Sequence, residues 1–182
     1  MKRLKILLPV MLYLAFKTVQ AAETVWHDRD GRPIPDDDTH KSRNGFAVGL
    51  LVTPDPDWEA KWNTPAETIP TFRSARTVRR GGALTILIFL VNPKTNHRNL
   101  ANVRCDLQVA RPDGSLSVNA KDVVCLKGEL RGSPMAVRLA TPVLKFKGEA
   151  NDPLGEWHIV VVVRDVLRAT ELQLESSFVL NR

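Results

Sequence analysis

Residues 157 to 164 read Trp157-His158-Ile159-Val160-Val161-Val162-Val163-Arg164. Successive side chains of a β-strand point to opposite faces, so this stretch has one fully apolar face and a second face that is mostly apolar. Residues 171 to 180 alternate as well: one face has Leu172, Leu174, Ser176, Phe178 and Leu180, and the other has Glu171, Gln173, Glu175 and Ser177. The first stretch therefore predicts a buried strand. The second predicts an edge or outer strand with one face in water.

The same period of two recurs upstream, with Gly, Pro and Asp marking the turns between the apolar stretches. The predicted strands cover residues 46–52, 83–91, 103–109, 116–118, 123–126, 137–139 and 144–146. Residues 83–91 are apolar on both faces apart from Thr85, which predicts a central strand. Strands at this spacing predict an all-β protein, a single antiparallel β-sandwich of about 7–9 strands over residues 45–182. One short helix is predicted at 55–62, with Asp55 as its cap.

The N-terminal segment has the layout of a secretory signal peptide over residues 1–22. A basic start precedes an apolar run at 6–16, and small residues follow at Ala21 and Ala22. The run is too short for a membrane anchor, which needs about 20 residues. Cleavage predicts a periplasmic or secreted protein. It also removes four of the 26 basic residues and leaves 22 against 20 acidic ones, so nucleic acid is not expected as a partner.

Cys105 and Cys125 are the two cysteines of the chain. An even pair in an exported protein predicts a structural disulfide. Reduced structural thiols or a redox pair are the alternatives, although the separation is too wide for a C-x-x-C motif. Closing a loop of this length stabilises the fold by roughly 3 kcal/mol in the chain-entropy model.

Residues 23–44 are polar and are predicted to form an N-terminal arm or linker before the sandwich. Its acidic side chains are the best metal candidates: Asp28, Asp30, Asp36, Asp37 and Asp38, with His40. The spacing fails the calcium-loop pattern, because the first ligand position falls on a tryptophan and the last is not glutamate. A tight turn at Asp30-Gly31 and a solvated linker explain the same residues, so no metal and no cofactor are expected.

Catalytic spacing is not recognisable in the chain. The histidines, His27, His40, His97 and His158, are spread over the predicted arm, linker, loop and strand, and no Gly-x-Ser-x-Gly elbow is present. Paired carboxylates for glycoside hydrolysis depend on spatial separation and stay open at this point. The protein is therefore expected not to be an enzyme.

Two turns carry a family resemblance. Arg111-Pro112-Asp113-Gly114 and Asp152-Pro153-Leu154-Gly155-Glu156-Trp157, followed by a core strand, resemble hairpins of secreted immunoglobulin-like domains. The resemblance covers roughly residues 80–180 and implies an immunoglobulin-like sandwich, without an implied activity. Antibody-type domains place a tryptophan between their two cysteines, and this chain has none there. The disulfide is therefore expected to link neighbouring strands, and the binding loops of that family are not carried over.

A binding role is the expected function, with Trp58 and Trp62 as candidate anchors on one face of the short helix. Arg73, Arg76, Arg79 and Arg80 are the candidate rim of such a site. The alternatives are that the tryptophans cap one end of the core and that the arginines protect a sheet edge. The leading hypothesis is a non-catalytic module that binds another protein, most concretely an inhibitor or immunity protein. A carbohydrate or envelope-polymer binder, or an accessory subunit or chaperone that offers a sheet edge, are the other candidates.

Overall fold

The computed structural model describes residues 24–28, 30–65 and 70–182. The predicted signal peptide lies outside the described residues. The described chain forms two packed β-sheets, which confirms the predicted all-β sandwich, with ten strands instead of 7–9. No helix in the described ranges is long and apolar enough to cross a bilayer.

The elements follow one another along the chain as β1 (His40–Arg43), β2 (Phe46–Thr53), α1 (Trp58–Trp62), β3 (Thr77–Arg79), β4 (Ala83–Val91), β5 (Leu100–Ala110), β6 (Leu116–Glu129), β7 (Arg138–Leu139), β8 (Leu144–Lys147), β9 (Gly155–Asp165) and β10 (Thr170–Asn181). The first sheet has the order β1-β2-β4, and both β7 and β8 pair with the far side of β4. The second sheet has the order β3-β10-β9-β5-β6. Neighbours are antiparallel except β3 and β10, which run parallel.

The core lies between the two sheets and is built from the alternating faces that the sequence predicts. On β9 the side chains of Trp157, Ile159, Val161 and Val163 are all at most 1% exposed. The Trp157 ring stacks on Phe178 of β10 with 6.1 Å between ring centroids. Burying a side chain of this size stabilises the fold by roughly 1.5–3 kcal/mol, so this strand is central to the core.

Strand β4 is buried on both faces, as its sequence predicts. Ile86 and Ile88 point into the core, while Leu87 on the other face is fully buried as well. On that outer face, Phe89 is covered by the rings of Trp62 and Phe72. Trp62 of the helix and Phe72 therefore cover part of the outside of the first sheet.

Three local predictions need correction. Residues 170–181 are not an edge strand, because the three-residue strand β3 pairs beyond β10, and so short a strand has no readable periodicity. The predicted strands at 116–118 and 123–126 are one strand, β6, interrupted by bulges. The helix begins at Trp58, and its N-cap residue is Asp57. Asp55, the predicted cap, instead binds Lys61 and Arg73 through its carboxylate. The polar face of β10 is nevertheless in water, as predicted.

Strand β1 lies within the range predicted as arm. Its pairing with β2 runs through Arg43 opposite Phe46, so the two strands form a hairpin with Asn44 and Gly45 at the turn. Both turn residues have positive φ, 53° and 76°. This is the backbone that a two-residue hairpin requires, and Asn-Gly is its strongest sequence signal. The sandwich therefore includes residues before the predicted boundary at 45.

The disulfide joins Cys105 of β5 to Cys125 of β6, and both residues are fully buried. The strands are neighbours in the second sheet, which confirms the predicted local bridge. The β5–β6 register passes from Arg104 opposite Val124 to Val103 opposite Leu126, so Cys125 is the extra residue of a β-bulge. Its carbonyl accepts a hydrogen bond from the Thr141 amide at 2.8 Å. The bulge therefore ties the second sheet to the segment between β7 and β8.

Replacing both cysteines, in Cys105→Ala with Cys125→Ala, is expected to lower the free energy of unfolding by about 3 kcal/mol, because the unfolded chain regains the entropy of an open loop. Urea denaturation measures the change. Wild-type protein unfolded with a reductant is the control and is expected to lose stability too, whereas the double variant should not respond to the reductant. A variant as stable as the oxidised wild type would contradict this.

Candidate binding surface

The two tryptophans proposed as anchors pack against the first sheet. Trp58 is 8% exposed, and the Lys145 ammonium lies 5.7 Å from its ring centroid. Trp62 lies against Phe89 with 5.5 Å between ring centroids. The helix thus places both rings over the outside of the sheet, and neither ring stands free as a stacking platform.

A buried carboxylate connects the helix to the first of the predicted arginines. The side chain of Asp55 is fully buried and accepts hydrogen bonds from Lys61 Nζ and Arg73 Nε, both at 2.6 Å. The hydrogen bond from Lys61, the Arg73 amide and the Arg73 guanidinium hold the pKa of Asp55 well below its usual range. The same contact raises the pKa of Lys61. Arg73 is therefore tied to the helix through Asp55.

The other three arginines lie along β3 and do not gather around the tryptophans. Arg80 donates to the Asp152 carbonyl at 3.1 Å, and Arg76 lines a shallow cleft together with His158 and Glu175 of the second sheet. Arg76, Arg79 and Arg80 are exposed beside a short edge strand. This is the position in which charged residues oppose edge-to-edge pairing of sheets.

Four chain connections meet at one end of the sandwich, which we call the loop end. They are the turns and loops at residues 44–45, 92–99, 130–137 and 166–169. At their centre is Asp165, whose fully buried carboxylate accepts hydrogen bonds from the Lys94 amide at 2.7 Å and from the Arg168 amide at 3.2 Å. The Arg168 guanidinium pairs with the same carboxylate. It also donates to the carbonyls of Asn44 and Asn92 at 2.6 and 2.8 Å.

Asn92 connects the remaining loop to this group. Its amide N–H donates to the Pro134 carbonyl at 3.0 Å, and its side chain donates to the Gly45 carbonyl at 2.8 Å. Within the 130–137 loop, the Arg138 guanidinium donates to four backbone carbonyls, those of Arg131, Ser133, Pro134 and Ala136. All four connections are therefore held by specific hydrogen bonds, so the loop end is a preorganised surface.

The loop end carries most of the exposed apolar side chains in the described part of the chain. Eight large apolar residues are exposed in the described ranges. Five of them belong to the loop end: Leu100, Met135, Val137, Val166 and Leu167. Of the others, Leu116 and Leu154 lie at the opposite end and Val124 lies along β6. This end is therefore the candidate contact surface of the described chain, since single exposed apolar side chains elsewhere need no explanation.

Two cavities flank the corner formed by Pro134 and Met135. The first, the basic cavity, has a volume of about 540 Å³, and its charged lining residues are Lys94, Arg131, Arg138, Arg168 and Glu129. The second, the arm cavity, has a volume of about 630 Å³ and lies between the N-terminal arm and Met135. Pro134 lines the first and Met135 the second, so these two residues form a ridge between two recesses.

The acidic residues of the arm act within its turns. The Asp28 carboxylate accepts from the amides of Asp30 and Arg32, and that of Asp37 accepts from the amides of Thr39 and His40. In the described ranges, no group of three or more His, Cys, Asp or Glu side chains is placed to hold a metal ion. The Gly31 amide also donates to the Asp28 carbonyl at 3.1 Å, so Asp28 belongs to the tight turn predicted at Asp30-Gly31.

Comparisons with known proteins add little beyond the fold. No family model matches the chain, and no curated protein matches it. Among solved structures, a CARDB domain from Pyrococcus furiosus is 10% identical over 81% of this chain and 99% of that domain, with a TM-score of 0.37. A family 123 glycoside hydrolase from Clostridium perfringens is 12% identical over 74% of this chain and 27% of that chain, with a TM-score of 0.41.

An alkylpurine DNA glycosylase from Pseudomonas fluorescens is 13% identical over 76% of this chain and 31% of that chain, also with a TM-score of 0.41. This chain thus spans less than a third of either enzyme's length. Such low similarity assigns neither an activity nor a partner to this chain.

Asp55→Asn is expected to destabilise the protein most at neutral pH. The pKa of Asp55 is lowered in the folded state from an ordinary value of 3.8, so its ionised form stabilises the fold above about pH 4 and this contribution is lost as the pH falls further. The difference between the urea midpoints of wild type and variant should therefore be larger at pH 7 than at pH 3. Glu171→Gln, at an exposed pair with Arg164, is the control and should show little pH dependence.

Asp165→Ala is expected to lower the free energy of unfolding by about 3 kcal/mol, because it leaves the half-buried Arg168 charge without its anion and the Lys94 amide without an acceptor. Denaturation measures the loss, and hydrogen exchange at residues 92–95 and 166–168 should accelerate. Asp30→Ala, at an exposed pair with Arg32, should change stability by less than about 1 kcal/mol. Unchanged exchange at the loop end would show that Asp165 does not hold the connections.

Proposed function

We propose that the protein is a non-catalytic protein-binding module that acts in the periplasm or outside the cell, and that the loop end is its contact surface. The observation that carries this proposal is the concentration of exposed apolar side chains on connections held rigid by Asp165, Arg168 and Asn92. Preorganised loops lose little conformational entropy on binding, which favours a stable complex. The disulfide fits an oxidising compartment. We also infer that the sandwich is an immunoglobulin-like module, in keeping with its two hairpin motifs.

An inhibitor or immunity protein is the most concrete form of this proposal. The ridge of Pro134 and Met135 stands between two recesses, and Met135 is 52% exposed. An exposed side chain between two recesses can enter the concave cleft of an enzyme or toxin. Methionine suits this position because its flexible, polarisable side chain adapts to the surface that it meets.

The alternatives differ in their structural support. A polysaccharide-binding platform needs exposed aromatic rings, and Trp58 and Trp62 pack against the sheet. An accessory subunit or chaperone has one favourable observation: the 14-residue strand β6 ends the second sheet, and no described strand pairs with its outer edge. Leu116 and Val124 on this strand are exposed. A partner strand could add to such an edge through backbone hydrogen bonds.

Met135→Asp with Val137→Asp is expected to abolish stoichiometric binding of the partner that the wild type captures from envelope extract. Two buried contacts with an apolar partner surface would each be replaced by a desolvated charge, so affinity should fall at least about tenfold. Titration calorimetry with the purified partner measures it. Leu154→Asp, at the opposite end, is the matched control and should bind as the wild type does.

The same assay includes a variant of the β6 edge, Leu116→Asp with Val124→Asp. Loss of binding in this variant alone would favour the accessory-subunit function and reject the loop end as the contact surface. Equal binding by all three variants would reject both surfaces, and a wild type that captures no stoichiometric partner would count against the proposed function.

A further inference from the structure

We propose that the basic cavity at the loop end accepts an acidic side chain, aspartate or glutamate, of the protein partner. This inference rests on the proposed function and names the chemistry of that contact. It follows from the charge of the cavity, from the way in which its cations are held, and from the exposed apolar residues at the same end of the sandwich.

The cavity has an excess of positive charge. Four cations line it against one acid, Glu129, which pairs with Arg131 at 3.5 Å where both side chains are exposed. Arg168 is neutralised by Asp165. Neither Lys94 nor Arg138 makes an ion pair with any described residue, and the carbonyls that bind Arg138 do not cancel its charge. Two cations without an ion pair in the described part of the chain therefore line the same recess.

These cations are positioned in two different ways. The guanidinium of Arg138 is fixed by its four carbonyl acceptors, so its charge is in place before a ligand arrives. The backbone of Lys94 is anchored because its amide donates to Asp165, while its side chain is exposed and can follow the ligand. Both Nη atoms of Arg138 already donate to carbonyls, so this guanidinium attracts a carboxylate through its charge. The Lys94 ammonium has no such acceptors and can donate hydrogen bonds to the carboxylate.

The surroundings favour a protein side chain over a free anion. Leu100, Met135, Val166 and Leu167 belong to the same end as the cavity. A small anion would neutralise the recess and leave these side chains in water. A protein partner that spans this end can cover both, and charge complementarity within such a contact contributes to its specificity.

Nuclear magnetic resonance titration of the mature chain tests the carboxylate chemistry directly. The probe is an acetylated and amidated six-residue peptide with two glutamates between leucines, and the matched probe has glutamines in their place. The glutamate peptide should shift the amide signals of Lys94, Thr95 and Gly132, and the glutamine peptide should bind at least about tenfold more weakly. Inorganic phosphate at equal ionic strength is the third probe.

Lys94→Gln should weaken binding of the glutamate peptide at least about tenfold, because it removes the exposed ammonium of the recess and leaves the carbonyl contacts of Arg138 in place. Lys147→Gln removes an exposed lysine at the opposite end and should leave binding within about twofold. Equal binding by the two variants would overturn the proposal. So would shifts confined to residues 76–80, or tighter binding of phosphate than of the peptide at the same amides.

The outcome is separable from the proposed function. If Lys94→Gln still captures the protein partner at wild-type affinity while Met135→Asp with Val137→Asp does not, the carboxylate assignment fails and the protein-binding function stands. If the wild-type protein captures no partner but binds the glutamate peptide at the predicted amides, the function fails and the cavity chemistry stands.

Discussion

The buried carboxylate of Asp165 is the contact on which the organisation of the loop end depends. It accepts a hydrogen bond from the Arg168 amide in the turn after β9 and another from the Lys94 amide in the 92–99 loop. It also pairs with the guanidinium of Arg168. Arg168 in turn reaches the carbonyls of two further connections. A buried anion without such partners would be strongly destabilising, so its hydrogen bonds and the loop arrangement require each other. Four segments distant in sequence thereby become one surface.

The strands could be predicted where packing leaves a period-two pattern. Strand β4 was predicted at its observed bounds because both of its faces are buried, and β9 because one face is uniformly large and apolar. Strand β3 was missed because three residues carry no pattern. The β1–β2 hairpin was missed although its signal, Asn44-Gly45, was present in the sequence. The polar composition of residues 40–43 predicts an arm and hides the strand, although the Asn-Gly pair that follows predicts a hairpin turn.

The candidate site was much less accessible to sequence reasoning. Tryptophans at helical spacing pointed to Trp58 and Trp62, but the same residues are those best able to cover an exposed sheet, and tertiary packing uses them for that. The loop end depends on sheet order, which decides that residues near 44, 92, 134 and 168 meet. Local patterns do not contain that order. One usable signal was Met135, an apolar residue between Pro134 and the short strand β7, in a loop rich in Gly, Ser and Arg.

The direction of β10 has a practical consequence for handling the protein. Thr170 begins this strand at the loop end, and Asn181 closes it at the far end, where parallel pairing with β3 holds it in place. Arg182 therefore lies at the end of the sandwich opposite the proposed contact surface, whereas Thr24 and Val25 line the arm cavity beside Met135. An affinity tag or surface tether attached after Arg182 leaves the loop end facing solution. One attached before Thr24 would crowd the recesses that a partner has to enter.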